Sequence, residues 1–166
     1  MKAMVNLARA FAQLPSNLQI TLDFRGPVVG PHEQGLVTRL KKILRVEPRV
    51  NFCDQVTLDK AAKVLAGYDV VCIPSIWFEN GLTVMLEALP VGTPVIGTAI
   101  GAMPEVISHG VNGWLVEPGN TEALAEALRA IAQDPAETID RWRQHLPPPR
   151  TMDDVARDYL RLYEPL

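Results

Sequence analysis

"YDVVCIPSIWFENGLTVMLEALPVGTPVIGT", residues 68–98, reads as strand, helix and strand in turn. Tyr68–Pro74 is a continuous apolar run, the pattern of a strand covered on both faces. Gly81 to Leu89 predicts a helix, with Leu82, Met85, Leu86 and Leu89 at i, i+3, i+4 and i+7 turned toward a sheet. Thr93–Thr98 is the next strand. A helix between two apolar strands makes a crossover, and a crossover joins parallel strands.

The same alternation extends to both sides. Met4, Leu7, Ala8, Phe11 and Leu14 form one stripe of an opening helix that Pro15 and Ser16 end. A strand over Leu18–Phe24, a turn-rich loop and a helix over Glu33–Arg45 follow, the helix presenting Leu36, Leu40, Ile43 and Leu44 on one face. Arg49–Phe52 is a short strand and Leu58–Ala66 a helix. Downstream, a short helix opens near Pro104, a strand covers Gly113–Pro118, and Asn120 or Thr121 caps a helix whose inner face is Leu124, Ala127, Leu128 and Ile131.

Five strand–helix units predict an α/β fold with a doubly wound parallel sheet. Pro147–Arg150 breaks the pattern, and Thr151 caps a trailing C-terminal helix, Met152–Tyr163, with Val155, Tyr159, Leu162 and Tyr163 on its apolar side. The expected division is an α/β domain over 1–146 and a Pro-rich linker with its helix over 147–166. The chain opens on a helix without a preceding strand, as expected of a piece of a longer protein.

Composition narrows the function classes. At 166 residues and a formal charge of −3, the chain suits one soluble domain and has no basic footprint for nucleic acid. Cys53 and Cys72 have no metal-like spacing and read as buried thiols of a reducing compartment. His32, His109 and His145 read as surface residues rather than ligands. No apolar run approaches the ~20 residues of a membrane span, so the cytoplasm is the expected location.

Ligands of open α/β sheets sit at the carboxyl ends of the strands, which directs attention to the loop at Pro74–Asn80. The first-turn N–H groups of Gly81, Leu82 and Thr83 can meet an anion there, favoured by the helix dipole. Glu79 lies before the helix. Glu87 lies off the apolar stripe, on the side shared with Thr83 and ~9 Å along the axis from Gly81. One carboxylate on each side of a bound diphosphate fits a nucleotide sugar. The plainer reading is two solvated carboxylates near a helix start, and spacing alone leaves both open. Neither GxGxxG nor a P-loop is present. Trp77 and Phe78 could stack on a sugar or base, although aromatic residues after a strand more often pack in a core.

The run "PSIWFENGLTVMLEALPVGTPVIGTAIGAMPEVISHGVNGWLVEPGNTEALAEAL" resembles the C-terminal, donor-binding domain of the group 1 glycosyltransferases, a retaining family with the GT-B fold. The matching elements are Glu79 and Glu87, Glu87-Ala88, Gly92-Thr93-Pro94-Val95, Gly101 to Glu105, and Asn112 to Gly119. A weaker likeness runs from Lys2 to about Tyr163. The resemblance implies a Rossmann-like half of the fold and a catalytic position for Glu79, against the transferred sugar. It also implies a ribose-binding Glu87, a diphosphate site around Asn80, Gly81, Leu82 and Thr83, and a charge-neutralising Lys2. The implied substrate is a nucleoside diphosphate sugar, UDP-sugar or GDP-sugar, with no cofactor and no metal required. Base selection would fall to the loop around Phe52–Val56.

Some features depart from the family pattern. Ala3 replaces a glycine beside Lys2, Ala102 stands where a second glycine is usual, and Pro90 ends its helix early. The family's arginine upstream of the lysine, the strand before it and the whole N-terminal acceptor domain are absent from this chain. The isolated chain is therefore expected to bind donor weakly and transfer nothing. The carbohydrate, lipid or small-molecule acceptor, and any peripheral association with a membrane, would belong to the missing domain. A non-catalytic nucleotide-sugar binding module is the alternative, and a pure interaction fragment using the final helix is a third reading.

Overall fold

The computed structural model describes residues 2–78 and 83–163. Its elements are α1 (Lys2–Ala12), β1 (Leu22–Arg25), α2 (Pro31–Leu44), β2 (Val50–Cys53), α3 (Leu58–Leu65) and β3 (Val71–Ile73). There follow α4 (Thr83–Ala88), a 3-10 turn (Leu89–Val91), β4 (Val95–Thr98), α5 (Met103–Val106), β5 (Gly113–Val116), α6 (Thr121–Gln133), α7 (Pro135–Gln144) and α8 (Met152–Tyr163). The expected parallel α/β architecture is present.

β4 is the enclosed centre of a parallel ladder, all of its residues buried. β3 pairs with it at Val71↔Val95 and β5 at Val95↔Gly113. Gly113 is required there: a Cβ would come 2.5 Å from the Val95 carbonyl oxygen, a backbone atom that cannot swing away. β1 and β2 form a second parallel pair, Leu22↔Val50 to Arg25↔Cys53.

Among the described residues no ladder joins β1 to β3, so the single sheet expected from the sequence is two sheets, β1-β2 and β3-β4-β5. The interval is a cavity of about 1160 Å³ with Leu22 and Phe24 on one wall and Val71 and Ile73 on the other. That explains a second difference. The apolar run of residues 68–74 was expected to be a covered strand, but β3 is shorter and only half-buried, because one of its edges faces this opening. A sealed dry void of that size would cost roughly 28 kcal/mol at ~24 cal/mol per Å³, more than the ~5–15 kcal/mol that holds an ordinary domain together. The cavity is accordingly open to solvent.

The helices cover the sheets on both sides. α1 lies against α2 and α6, burying Val5, Leu7, Ala8, Ala10 and Phe11. The Asn120 side chain accepts from the Ala123 N–H at 2.9 Å and starts α6, whose Leu124, Ala127, Leu128 and Ile131 are buried as expected. α7 was not anticipated; Asp134 caps it with Pro135 in its first turn, and it buries Ile139 and Trp142. The Trp142 indole packs edge-on to Trp114 at 6.3 Å, but its buried Nε1–H has no acceptor among the described residues. α8 follows the proline-rich stretch and buries none of its residues.

Candidate functional site

The carboxyl ends of β1 and β2 and the outer face of α4 converge on the mouth of the cavity. Gly26, Pro27 and Val28 line it after β1, Asp54 and Val56 after β2, and Val84 and Glu87 from α4. α4 turns this way because Met85, Ala88 and Leu89 form its buried face against β4 and the α5 region. Leu86, expected on that face, is 58% exposed. With the buried stripe rotated to positions 85, 88 and 89, Val84 and Glu87 share the side toward the cavity.

Glu87 is half-buried and makes no hydrogen bond or ion pair among the described residues. A carboxylate in that state retains its full accepting capacity for hydroxyl or N–H donors from outside the protein. The loop at 52–56 also lines the cavity, through Phe52, Cys53, Asp54 and Val56. Glu87 and the 52–56 loop, to which the family resemblance gives the ribose and the base, thus lie around one opening.

The other expected site residues are distributed differently. Thr83 begins α4 and is exposed, outside the cavity lining. Lys2 is exposed at the start of α1 and lines a smaller cleft of about 420 Å³ with Asn6, Arg9, Arg39, Ile76, Pro118 and Gly119. The structure therefore places Lys2 at the carboxyl edge of β3 and β5, in a cleft separate from the one that holds Glu87. Glu79, Asn80, Gly81 and Leu82 lie outside the described residues. Trp77 and Phe78, for which core packing was the commoner expectation, are 71% and 73% exposed just after β3.

A polar network that sequence reading missed supports the cavity wall. The Tyr68 hydroxyl donates to Asp23 Oδ2 at 2.6 Å, and Asn51 donates to Asp23 Oδ1 at 2.9 Å. These bonds hold the Asp23 carboxyl below the usual carboxylate range. Arg25 donates to the Tyr68 oxygen at 3.2 Å and to the Asp54 carbonyl at 3.0 Å, fixing the start of the 54–56 loop. The alternation of Asp23 with Arg25 on one strand face, opposite Asn51, was the available signal. Cys72, on half-buried β3 at the cavity wall, has its thiol pushed up to about 12 by desolvation, which leaves it a neutral wall group. Among the described residues no cluster of His, Cys, Asp and Glu could hold a metal ion.

The family model described as Glycosyl transferases group 1 matches residues 1–134. The chain belongs to this family. The N-acetyl-alpha-D-glucosaminyl L-malate synthase of Bacillus anthracis is 35% identical over 133 residues, 80% of this chain and 33% of that protein. Anabaena HepE, solved in complex with UDP-glucose, matches with a TM-score of 0.74 at 27% identity, over 87% of this chain and 39% of the other. Sucrose-phosphate synthase of Thermosynechococcus elongatus matches with a TM-score of 0.79 at 28% identity, over 98% of this chain and 41% of the other. The group 1 domain described here thus spans about a third of the length of the curated relatives it matches. None of its described helices is long and apolar enough to cross a membrane.

Proposed function

We propose that the chain is the donor-binding domain of a retaining glycosyltransferase, which transfers a sugar from a nucleoside diphosphate sugar to an acceptor hydroxyl. The observation that carries this reading is Glu87: a half-buried carboxylate without a partner among the described residues, on the wall of a cavity at the carboxyl ends of parallel strands. It accepts the ribose hydroxyls, while the 52–56 loop meets the base. The structure of HepE with UDP-glucose supports a nucleotide-sugar ligand.

In this reading, as the family resemblance implies, Asn80, Gly81, Leu82 and Thr83 hold the diphosphate. Glu79 stands against the sugar. The bond from the anomeric carbon to the diphosphate oxygen breaks, the acceptor hydroxyl oxygen bonds to the same carbon on the same face, and its proton passes to the departing diphosphate oxygen. The nucleoside diphosphate leaves with the electron pair, and fixed positive charge and oriented amides stabilise it. Lys2, in the smaller cleft beside Ile76 of the loop after β3, supplies that charge. The acceptor is a carbohydrate, lipid or small-molecule hydroxyl held by a second domain, so the chain alone binds donor weakly and transfers nothing. The diphosphate is neutralised by protein groups without a metal.

The test is thermal unfolding of this chain with UDP, GDP, ADP and dTDP, beside Glu87→Ala. A nucleotide at 100 times its Kd adds about 2.7 kcal/mol. One nucleotide is expected to raise the midpoint, with the gain lost in Glu87→Ala and unchanged by EDTA. If neither this chain nor one lengthened at its N-terminus responds to any of the four, the donor reading falls. A gain that EDTA abolishes would instead overturn the metal-free part.

A further inference from the structure

We propose that the outer face of α1 and α2 is this domain's own docking surface for an anionic lipid bilayer. The overall charge of −3 hides an uneven distribution. Residues 1–46 hold seven Lys or Arg against two Asp or Glu, and residues 47–166 hold nine against seventeen. The two acids of the first stretch, Asp23 and Glu33, line the cavity instead of the outer face. Of its cations, Lys2 serves the donor, Arg25 is bonded to Tyr68 and the Asp54 carbonyl, and Lys41 lies 5.3 Å from the Phe52 ring centroid. Arg9, Arg39, Lys42 and Arg45 remain, all exposed, with no side-chain hydrogen bond or ion pair among the described residues.

Helical spacing gathers these four on one side. Val5, Leu7, Ala8 and Phe11 fill the inner side of α1, which leaves Asn6 and Arg9 toward solvent. α2 buries Leu40 and Leu44, so Arg39, Lys42 and Arg45 follow one another along its outer side. Arg9 and Arg39 line one cleft with Asn6, which joins the two helices into a continuous strip, and no carboxylate among the described residues lines that cleft. The strip ends at α6, where Glu122 and Glu126 are exposed. Helix dipoles account for single cations in the last turns of α1 and α2, Arg9 and Lys42. They do not account for four on one side, for Arg39 a turn earlier, or for the apolar residue beside them.

That residue is Val46, 98% exposed in the turn after α2. The turn passes through Arg45 at φ 55°, a conformation that few residues with a side chain adopt. A branched apolar tip among cations suits the bilayer interface, where cations meet lipid phosphates and the tip enters the acyl boundary. Nucleic acid offers phosphates but no apolar layer, and the exposed residues of α1 and α2 include no Phe, Tyr or Trp for bases to stack on. The field of an anionic bilayer fades over about 10 Å at 0.1 M salt, so it reaches the strip and not the acidic far side of the domain. α1 starts beside Ile76 and Pro118, and α2 follows β1, so both helices begin at the carboxyl edge of the strands. The mouth at Glu87 therefore opens at the end of the strip, beside the membrane rather than into it.

The experiment is sedimentation of this chain with vesicles of phosphatidylcholine, alone or with about one third phosphatidylglycerol. It uses no nucleotide, so its outcome is separate from that of the donor reading. The chain is expected on the anionic vesicles only, and to leave them as salt rises from about 0.05 to about 0.5 M. Each Lys or Arg at such a surface strengthens binding about fivefold, so Arg39→Glu with Lys42→Glu should weaken it about 25-fold or more. Val46→Asp should weaken it about tenfold. Lys60→Glu with Lys63→Glu makes the same change in net charge on α3, which packs on α4, and should leave binding within about twofold. Equal loss in the two pairs, equal sedimentation with both kinds of vesicle, or none at low salt overturns the proposal. So does tighter binding to a short duplex DNA than to the vesicles, which would give the strip to nucleic acid. Both pairs are expected to melt with the parent. If the first melts early, Arg39→Gln with Lys42→Gln takes its place, and binding unchanged in that variant overturns the proposal equally.

Discussion

Arg49 ties three parts of the chain together with one planar head. Its Nε and Nη2 donate to Glu47 Oε1 and Oε2 at 2.9 and 2.8 Å, and its Nη1 donates to the Pro15 carbonyl at 2.8 Å. The guanidinium also lies 5.1 Å from the centroid of the buried Phe11 ring. Lysine has neither the fork nor the plane to reproduce these contacts. The hydrogen bonds from Arg49 hold the Glu47 carboxyl below its ordinary value of 4.5. A depressed carboxylate contributes stability that is complete above the ordinary value and is lost as pH falls through the folded one. Glu47→Gln should therefore unfold at a lower temperature than the parent near neutrality. The gap between them should close as pH drops below about 4.5. A gap constant from pH 7 to pH 3 in thermal scans would refute the assignment.

Elements were legible where local chemistry decides them. The α6 stripe and its cap follow from Asn120 and the periodicity beyond it; Asn120→Ala should cost about 1 kcal/mol in denaturant unfolding, and no loss would mean that the Ala123 bond contributes nothing. The continuous apolar runs marked β3 and β4, but strand ends depend on which partner offers hydrogen bonds. β3 was therefore read too long, since its extent depends on an edge that no residue of its own can supply. α7 was hidden because "DP" after α6 reads as a stop, although Asp134 and Pro135 serve equally as a cap and first turn, with Ile139 and Trp142 at i, i+3 behind them. Glu87 was legible because a charged residue off an apolar stripe must face something other than the core. Leu86, Trp77 and Phe78 were not, because their exposure depends on how loops and neighbouring elements lie over them. The Asp23–Tyr68–Arg25 network spans residues 23 to 68 and has no local signature.

At the scale of the molecule, the parts differ in how firmly they are held. α8 exposes Met152, Tyr159, Leu162 and Tyr163, and none of its residues is buried. Ending the chain before Thr151 should move the thermal midpoint by no more than about 2–4 °C, the effect of ~1 kcal/mol in a domain of this size. A larger fall would mean that α8 packs on the domain in solution. The same gradation is written into the tryptophans. Trp142 is fully enclosed, Trp114 is half-buried against it, and Trp77 stands in water beside the carboxyl ends of the strands. Their intrinsic fluorescence therefore separates by colour: the enclosed indole emits in the blue and Trp77 in the red. A ligand settling against the loop after β3 would disturb the red component, whereas loosening of the interior shifts the blue one. Occupancy and integrity can thus be followed independently in one unlabelled sample.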